Sequence, residues 1–259
     1  MKKICLYCFS GTGMTRYVAD KLVGEFEKHQ VAADCFRIED AESRSVALSG
    51  YDAFGIAYPV HAFNAPKIVM DFIKRLPKAD GMDTFIIHTC GEDHTINYAS
   101  SDLLIKRLRK KGYGVFHNKL IEMPCNFVVR HTDERVREIL DNANKAIPQT
   151  ARDVIEQRPF RMRKSLGAKI AAFFGRAEWY GVFIMGKFFA VRKSCVRCGK
   201  CADGCPNRNI VMKEKSIGFK WRCGLCMRCL YNCPVNALRV RHPFRFIHVG
   251  KWYDPDLFK

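Results

Sequence analysis

Acidic residues are scarce in the C-terminal part of this 259-residue chain. Residues 151–259 hold 7 Asp and Glu against 23 Lys and Arg, a net of +16, while residues 1–150 hold 19 against 21, a net of +2. A basic field of this kind attracts acidic proteins, nucleic acid or anionic membrane. Long apolar runs are missing too: nothing approaches the ~18 uninterrupted residues of a membrane span. Met1-Lys2-Lys3-Ile4 leads straight into a strand-like run, without the apolar core of about 7–15 residues that marks a secretory signal. The expectation is therefore a cytoplasmic protein, in a compartment that keeps thiols reduced. There is no Gly/Ser-rich or Pro-rich stretch to act as a flexible linker. The chain has only 10 prolines, and two of them directly follow a cysteine.

Cysteine is plentiful, at 13 residues. Cys195, Cys198, Cys201, Cys205 and Pro206 read C-x2-C-x2-C-x3-C-P, and Cys223, Cys226, Cys229, Cys233 and Pro234 repeat the pattern 28 positions later. Thiolate sulfur is the usual protein ligand of iron–sulfur clusters, and a cubane takes four. Three closely spaced cysteines can wrap one tight turn around three corners of a cube. The fourth precedes a proline, which lacks an N–H and fixes φ, so it leaves the wrap and points elsewhere. Zinc sites show two Cys pairs across a longer loop, without the third cysteine and the Cys-Pro ending. Disulfide frameworks belong to small secreted chains. Residues 195–240 resemble the bacterial two-cluster ferredoxin module. The resemblance implies two 4Fe-4S clusters, one on Cys195, Cys198, Cys201 and Cys233, the other on Cys223, Cys226, Cys229 and Cys205. Eight thiolates around two oxidised cores carry roughly −4 in total, which leaves the C-terminal part strongly basic.

At the N-terminus, Lys3–Phe9 is an apolar run of strand length. Ser10, Gly11, Thr12, Gly13, Met14 and Thr15 follow, and then a helical pattern with Val18, Ala19, Leu22, Val23 and Phe26 on one face. A strand, a loop of glycine and hydroxyl residues and a helix start form an anion cradle, because free N–H groups and the helix dipole converge there. The loop has no lysine, so it is not a Walker A loop. A hydroxyl-capped turn without a ligand is the plain alternative.

Strand and helix patterns then alternate. Strands are expected at Ala33–Ile38, Tyr51–Tyr58, Asp83–Thr89 and Gly114–Met123. Helices are expected after Pro66, over Asn97–Lys111, and over Asp133–Gln157 with an interruption at Pro148. Alternation of this kind implies a parallel sheet with helices on both faces. The loops after strands one, three and four then share the carboxyl edge, where ligands bind. The second of these loops holds Pro59, Val60, His61, Ala62, Phe63 and Asn64; the third holds Thr89, Cys90, Gly91, Asp93, His94 and Tyr98. Phe63 and Tyr98 are candidates for core aromatics as much as ring contacts. His61 and His94 are weighed as surface or capping residues against proton-transfer groups. Cys90 reads as a small apolar residue, and Cys5, Cys8 and Cys35 as buried in strands.

Phe9–Thr15 resembles the FMN phosphate loop of flavodoxins, whose pattern is Ser/Thr-x-Thr-Gly-x-Thr. Family members very often carry Asn where this chain has Met14, whose backbone N–H can still donate. The later loops resemble the flavin-flanking loops of the same family in position and length. Met123–Phe127 looks like a segment of relatives carrying both modules, with Asn126 near the flavin edge. The whole chain resembles the flavodoxin–ferredoxin fusion proteins. That implies an α/β fold: a doubly wound five-stranded parallel sheet of order 2-1-3-4-5, plus a small α+β bacterial-ferredoxin domain. The expected organisation is 1–157 for the FMN-binding domain, 158–194 for a basic amphipathic connector and 195–259 for the two-cluster domain with a basic tail. The implied function is passing single electrons between two 4Fe-4S clusters and FMN, in exchange with acidic redox proteins. The alternative is an enzyme in which the flavin reduces a small substrate.

In the connector, Leu166, Ile170, Phe173, Phe174, Ala177, Tyr180, Ile184 and Phe188 recur at helical spacing among nine Lys and Arg from Arg158 to Lys193. The expectation is a helix packed between the domains; the alternative is a helix lying on an anionic membrane. In the tail, Arg239, Arg241, Phe244, Arg245, Phe246, Lys251, Trp252 and Tyr253 interleave basic and aromatic residues, as single-stranded nucleic acid platforms can. A tail wrapped on the domain is the preferred reading, and nucleic acid is not expected.

Overall fold

The computed structural model describes residues 1–40, 48–92, 94–127, 130–214, 216–241 and 253. Asp93 and the tail residues Phe244, Arg245, Phe246, Lys251 and Trp252 lie outside the described residues. The chain divides into two units, Met1–Pro124 with Thr132–Arg176, and Cys125–His131 with Ala177–Lys259. The division thus falls within the connector, and Asn126 goes with the second unit.

In the first unit, β1 (Lys3–Cys8), β2 (Ala32–Arg37), β3 (Ala53–Pro59), β4 (Met82–Cys90) and β5 (Tyr113–Glu122) form one parallel sheet. Its order is β2-β1-β3-β4-β5, the flavodoxin-like order. Strands covered on both faces are apolar nearly throughout, and Ile4, Leu6, Phe54 and Ile56 are fully buried. The helices are α1 (Met14–Lys28), α2 (Lys67–Arg75), α3 (Asp102–Lys110), α4 (Asp133–Ile155) and α5 (Leu166–Gly175). Each of the first four buries an apolar stripe, for example Val18, Leu22 and Phe26 on α1.

Three expectations are corrected. The helix expected over Asn97–Lys111 is a 3-10 turn, Thr95–Ala99, followed by α3. Ser100 and Ser101 fall between the two, and their hydroxyls bond His88 Nδ1 at 2.9 Å and the Asn118 side-chain amide at 2.9 Å. Inward hydrogen bonds of this kind compete with helix continuation. Second, α4 runs unbroken through Pro148. Buried Val136, Ile139, Leu140 and Ala143 before the proline and Ala151 and Val154 after it hold the helix on the domain despite the missing N–H. Third, the connector is not one packed helix: α5 ends at Gly175, and α6 (Glu178–Met185) belongs to the second unit. Its large apolar side chains, expected to be packed away, are exposed.

The second unit holds β6 (Phe189–Val191), α7 (Lys200–Asp203), β7 (Ile210–Met212), β8 (Ile217–Phe219), α8 (Arg228–Tyr231) and β9 (Leu238–Val240). Antiparallel pairs form between β6 and β9 and between β7 and β8. A shift of 28 residues carries β6 onto β8, α7 onto α8 and β7 onto β9. It also carries the bond Arg192 N–H to Ala237 O onto Lys220 N–H to Asn209 O, both 2.7 Å. The repeat in the cysteines is therefore a repeat in the backbone, with strands exchanged between halves. Phe189, Met227, Leu230, Tyr231 and Leu238 form its small core, with Cys201, Cys223, Cys229 and Cys233 packed against it.

Candidate functional site

Each cysteine triplet is shaped by residues in left-handed backbone: Arg197 (φ 55°) and Gly199 (φ 79°) in the first, Leu225 (φ 49°) and Met227 (φ 60°) in the second. Such conformations are uncommon outside glycine and curl the loop tightly. They also aim backbone N–H groups at sulfur. Arg197 and Leu225 donate to Cys195 and Cys223 Sγ, each at 3.4 Å, and Asn209 and Ala237 donate to Cys205 and Cys233 Sγ at 3.2 and 3.1 Å. Hydrogen bonds to sulfur stabilise the thiolate and set cluster potential.

The fourth cysteine of each repeat lies near the triplet of the other. Cys205, Cys223, Cys226 and Cys229 line one cavity. In the other group Cys201 feels the charge of Cys195 and Cys233. Cys198 is the exposed member of the eight. Burial, and then repulsion from neighbouring cysteines, pushes the Cys223 thiol up to about 12 and raises Cys229 and Cys201 as well. Such crowded thiols would ionise readily only against a cationic core, which an iron cluster would supply. Among the described residues no three His, Cys, Asp or Glu are placed to hold a single metal ion. A cubane takes its ligands at four separate corners, so they need not meet at one point. The thiol set therefore fits 4Fe-4S clusters.

At the carboxyl edge of the first unit, the loops after β1, β3 and β4 are tied together. Val60 N–H donates to Thr89 O at 2.7 Å, and the buried Thr15 and Thr89 hydroxyls share a bond of 2.8 Å. The Gly13 N–H is held by Ser10 Oγ at 3.1 Å, and Gly13 takes φ 102° as it opens α1. No side chain caps this 15-residue helix and its first turn has no acid, so its leading N–H groups and dipole favour an anion at this end. Ser10, Gly11, Thr12 and Gly13 are part-exposed at this mouth, whereas the Met14 side chain is buried. These loops fit a flavin phosphate.

His61–Asn64 closes as a tight turn with Ala62 (φ 40°) and Phe63 (φ 60°) left-handed and the Phe63 ring exposed. Pro59, Val60, Cys90, Gly91 and Tyr98 are part-exposed nearby in the chain. Desolvation pushes His61 down to about 4, so it is neutral near pH 7. His94 caps the 3-10 turn, its Nδ1 accepting the Ile96 N–H at 3.3 Å. The Cys90 thiol donates to Glu92 O at 2.7 Å. Asn126 O accepts from Tyr231 within the second unit at 3.4 Å. Cys5 and Cys8 are buried and Cys35 half-buried.

Residues 187–234 match the family described as 4Fe-4S dicluster domain. The chain combines a sheet of flavodoxin-like strand order with a stretch that matches a 4Fe-4S dicluster domain. Outside the dicluster domain, oxidised flavodoxin 1 from Bacillus cereus is similar over 60% of this chain and 98% of its own, at 18% identity and TM-score 0.42. A flavodoxin from the domain Archaea is similar over 60% and 99%, at 16% identity and TM-score 0.39. The putative electron transport protein YccM of Escherichia coli (strain K12) is 35% identical over 80 residues, 26% of this chain. The match spans only 22% of YccM.

Sequence reasoning missed two features. A Cβ on Gly186 would lie 2.2 Å from Cys223 Cβ, so this glycine lets the end of α6 close on the second cysteine triplet. Nothing in the spacing of the motif marks it. Asn64 binds both Ala62 O at 3.1 Å and Ala172 O at 2.7 Å, pinning α5 to the second loop. The alanine spacing of α5 was its one sequence signal.

Proposed function

We propose that this chain is an electron carrier, passing single electrons between two 4Fe-4S clusters and a bound FMN and exchanging them with acidic redox proteins. Bound clusters accept one electron at a time and FMN one or two, so a chain holding both can match one-electron to two-electron partners. The chain's own residues hold the groups and tune them. Backbone N–H groups of Arg197, Asn209, Leu225 and Ala237 stabilise sulfur charge, while burial works against it. The observation that carries the reading is the single cavity lined by Cys205, Cys223, Cys226 and Cys229, which joins the fourth cysteine of one repeat to the triplet of the other. The cradle at Ser10–Thr15, with Pro59–Asn64 and Thr89–Gly91, Tyr98 beside it in the same edge loops, supports FMN. The excess of 23 basic over 7 acidic residues beyond residue 150 supports acidic partners.

Reduction of a small substrate at the flavin is the second reading. It needs a proton donor, and a neutral His61 and a His94 engaged in capping do not favour one. An anaerobic absorption spectrum with iron and flavin quantitation tests the main reading. About eight irons and one FMN per chain are expected. Colourless protein, or zinc in place of iron, refutes it. Iron without flavin uptake refutes the FMN half.

A further inference from the structure

Helix α5 is built the wrong way round for a helix meant only to pack. Its small residues face in: Ala168 and Ala172 are buried against Ala99. Gly175 approaches Ala62 O so closely that a Cβ would stand 2.0 Å from it. Its large residues face out: Leu166, Ile170, Phe173 and Phe174 are 74, 48, 62 and 70% exposed. Their spacing of i, i+4, i+7 and i+8 makes one stripe down the helix. The orientation is fixed rather than loose, through the Ser165 cap on Ala168 N–H at 3.0 Å and the Asn64–Ala172 bond at 2.7 Å.

The stripe has a basic border. Lys169 lies three positions after Leu166 and four before Phe173, at the edge of the apolar sector. Lys169 also lines a cleft with Lys106, Arg109 and Lys110 of α3 and with Lys164; Asp102, paired to Lys164, is its one carboxylate. At the other end, Arg176 lies over the Phe173 ring, 5.6 Å from its centroid.

From this arrangement we infer that the α5 face docks on an anionic lipid surface, with Leu166, Ile170, Phe173 and Phe174 entering the interface and the α3–α5 cleft taking lipid phosphates. Protruding aliphatic and aromatic side chains beside cations are what interfacial binding uses. Four of the five cleft cations are lysines, which protein–protein interfaces avoid and which reach lipid headgroups on flexible stems. Among the described residues no helix is long and apolar enough to cross a membrane, so this is docking without spanning. The inference rests on α5 and α3 alone and stands apart from cofactor loading.

Co-sedimentation of the full chain with vesicles tests it. Phosphatidylcholine vesicles containing phosphatidylglycerol are expected to bind it, and pure phosphatidylcholine about tenfold less well. Salt near 1 M, where the Debye length is about 3 Å, is expected to weaken binding strongly. Phe173→Glu with Phe174→Glu, at exposed positions that leave folding and iron content intact, lowers binding about tenfold. Lys106→Glu with Arg109→Glu removes the preference for phosphatidylglycerol. Failure of the wild type to bind, or equal binding by the Phe173→Glu/Phe174→Glu variant, overturns the inference. So does a Phe173-dependent dimer in sedimentation velocity without vesicle binding, which would assign the face to a second copy of the chain.

Discussion

Replacing Gly186 by alanine tests how closely the second unit is fitted around its thiols. A Cβ there meets Cys223 Cβ at 2.2 Å and Sγ at 3.1 Å. Carbon atoms in contact stand about 3.5–4.0 Å apart, so the shortfall is about 1.3–1.8 Å. The obstacle is the first atom of a short side chain close to the backbone, so a rotamer change does not relieve it. Metal ligands tolerate about 0.2 Å of displacement, far less than the clash demands. Either the end of α6 lifts, at the 1–3 kcal/mol typical of overpacking, or Cys223 leaves its place. The residue 28 positions on is Glu214, which already carries a Cβ, so the first triplet accommodates one at the matching place and its cluster is expected to be spared. Iron in anaerobically purified Gly186→Ala protein is expected to fall from about eight towards about four per chain. The reduced protein then gives the electron paramagnetic resonance of one isolated cluster instead of two interacting ones. Glu214→Ala serves as the control with full iron. Full iron and an unchanged spectrum in Gly186→Ala would refute the packing argument.

Further outcomes follow from the same geometry. Cys205→Ser is expected to damage the site of Cys223, Cys226 and Cys229 and leave that of Cys195, Cys198 and Cys201 loaded. Cys233→Ser does the reverse, and Mössbauer spectra of the two variants report which site survives. Gly13→Val forces a β-branched residue to φ 102°. That conformation costs a non-glycine residue about 1–2 kcal/mol, and FMN affinity measured by fluorescence titration should drop about tenfold. His88 is buried, and desolvation with nearby Lys164 lowers it to about 3, below its unfolded value of about 6.5. The unfolded chain therefore binds the proton first. Stability is full above about pH 6.5 and falls towards pH 3 by up to about 1.4 kcal/mol per pH unit. His88→Gln flattens that slope in urea unfolding series, and an unchanged slope would count against the assignment.

The sheet was legible because β1, β3 and β4 are short apolar runs separated by helical stripes, and that alternation leaves few topologies. The cysteine repeat was legible because ligand number and spacing are chemical requirements. Where reading failed, a tertiary contact outweighed a local preference. Pro148 was read as a break, yet burial on both sides of it carries the helix through. Ser100 and Ser101 looked like ordinary helix residues until His88 and Asn118 claimed their hydroxyls. The connector's apolar residues were taken as inward, and only three-dimensional placement shows Ala168 and Ala172 in that role.

The exchange of strands and fourth thiols between the two 28-residue halves makes them mutually dependent. A polypeptide ending before β8 would own four of the eight motif thiols, yet Cys205 lies with the triplet of the other half and Cys233 has not yet been made. Assembly must wait for both halves, and an oxidant that strips one site also removes an anchor from the fold around the other. Damage by air at either site should therefore loosen the thiols of the other, and singly loaded molecules should unfold more easily than intact ones.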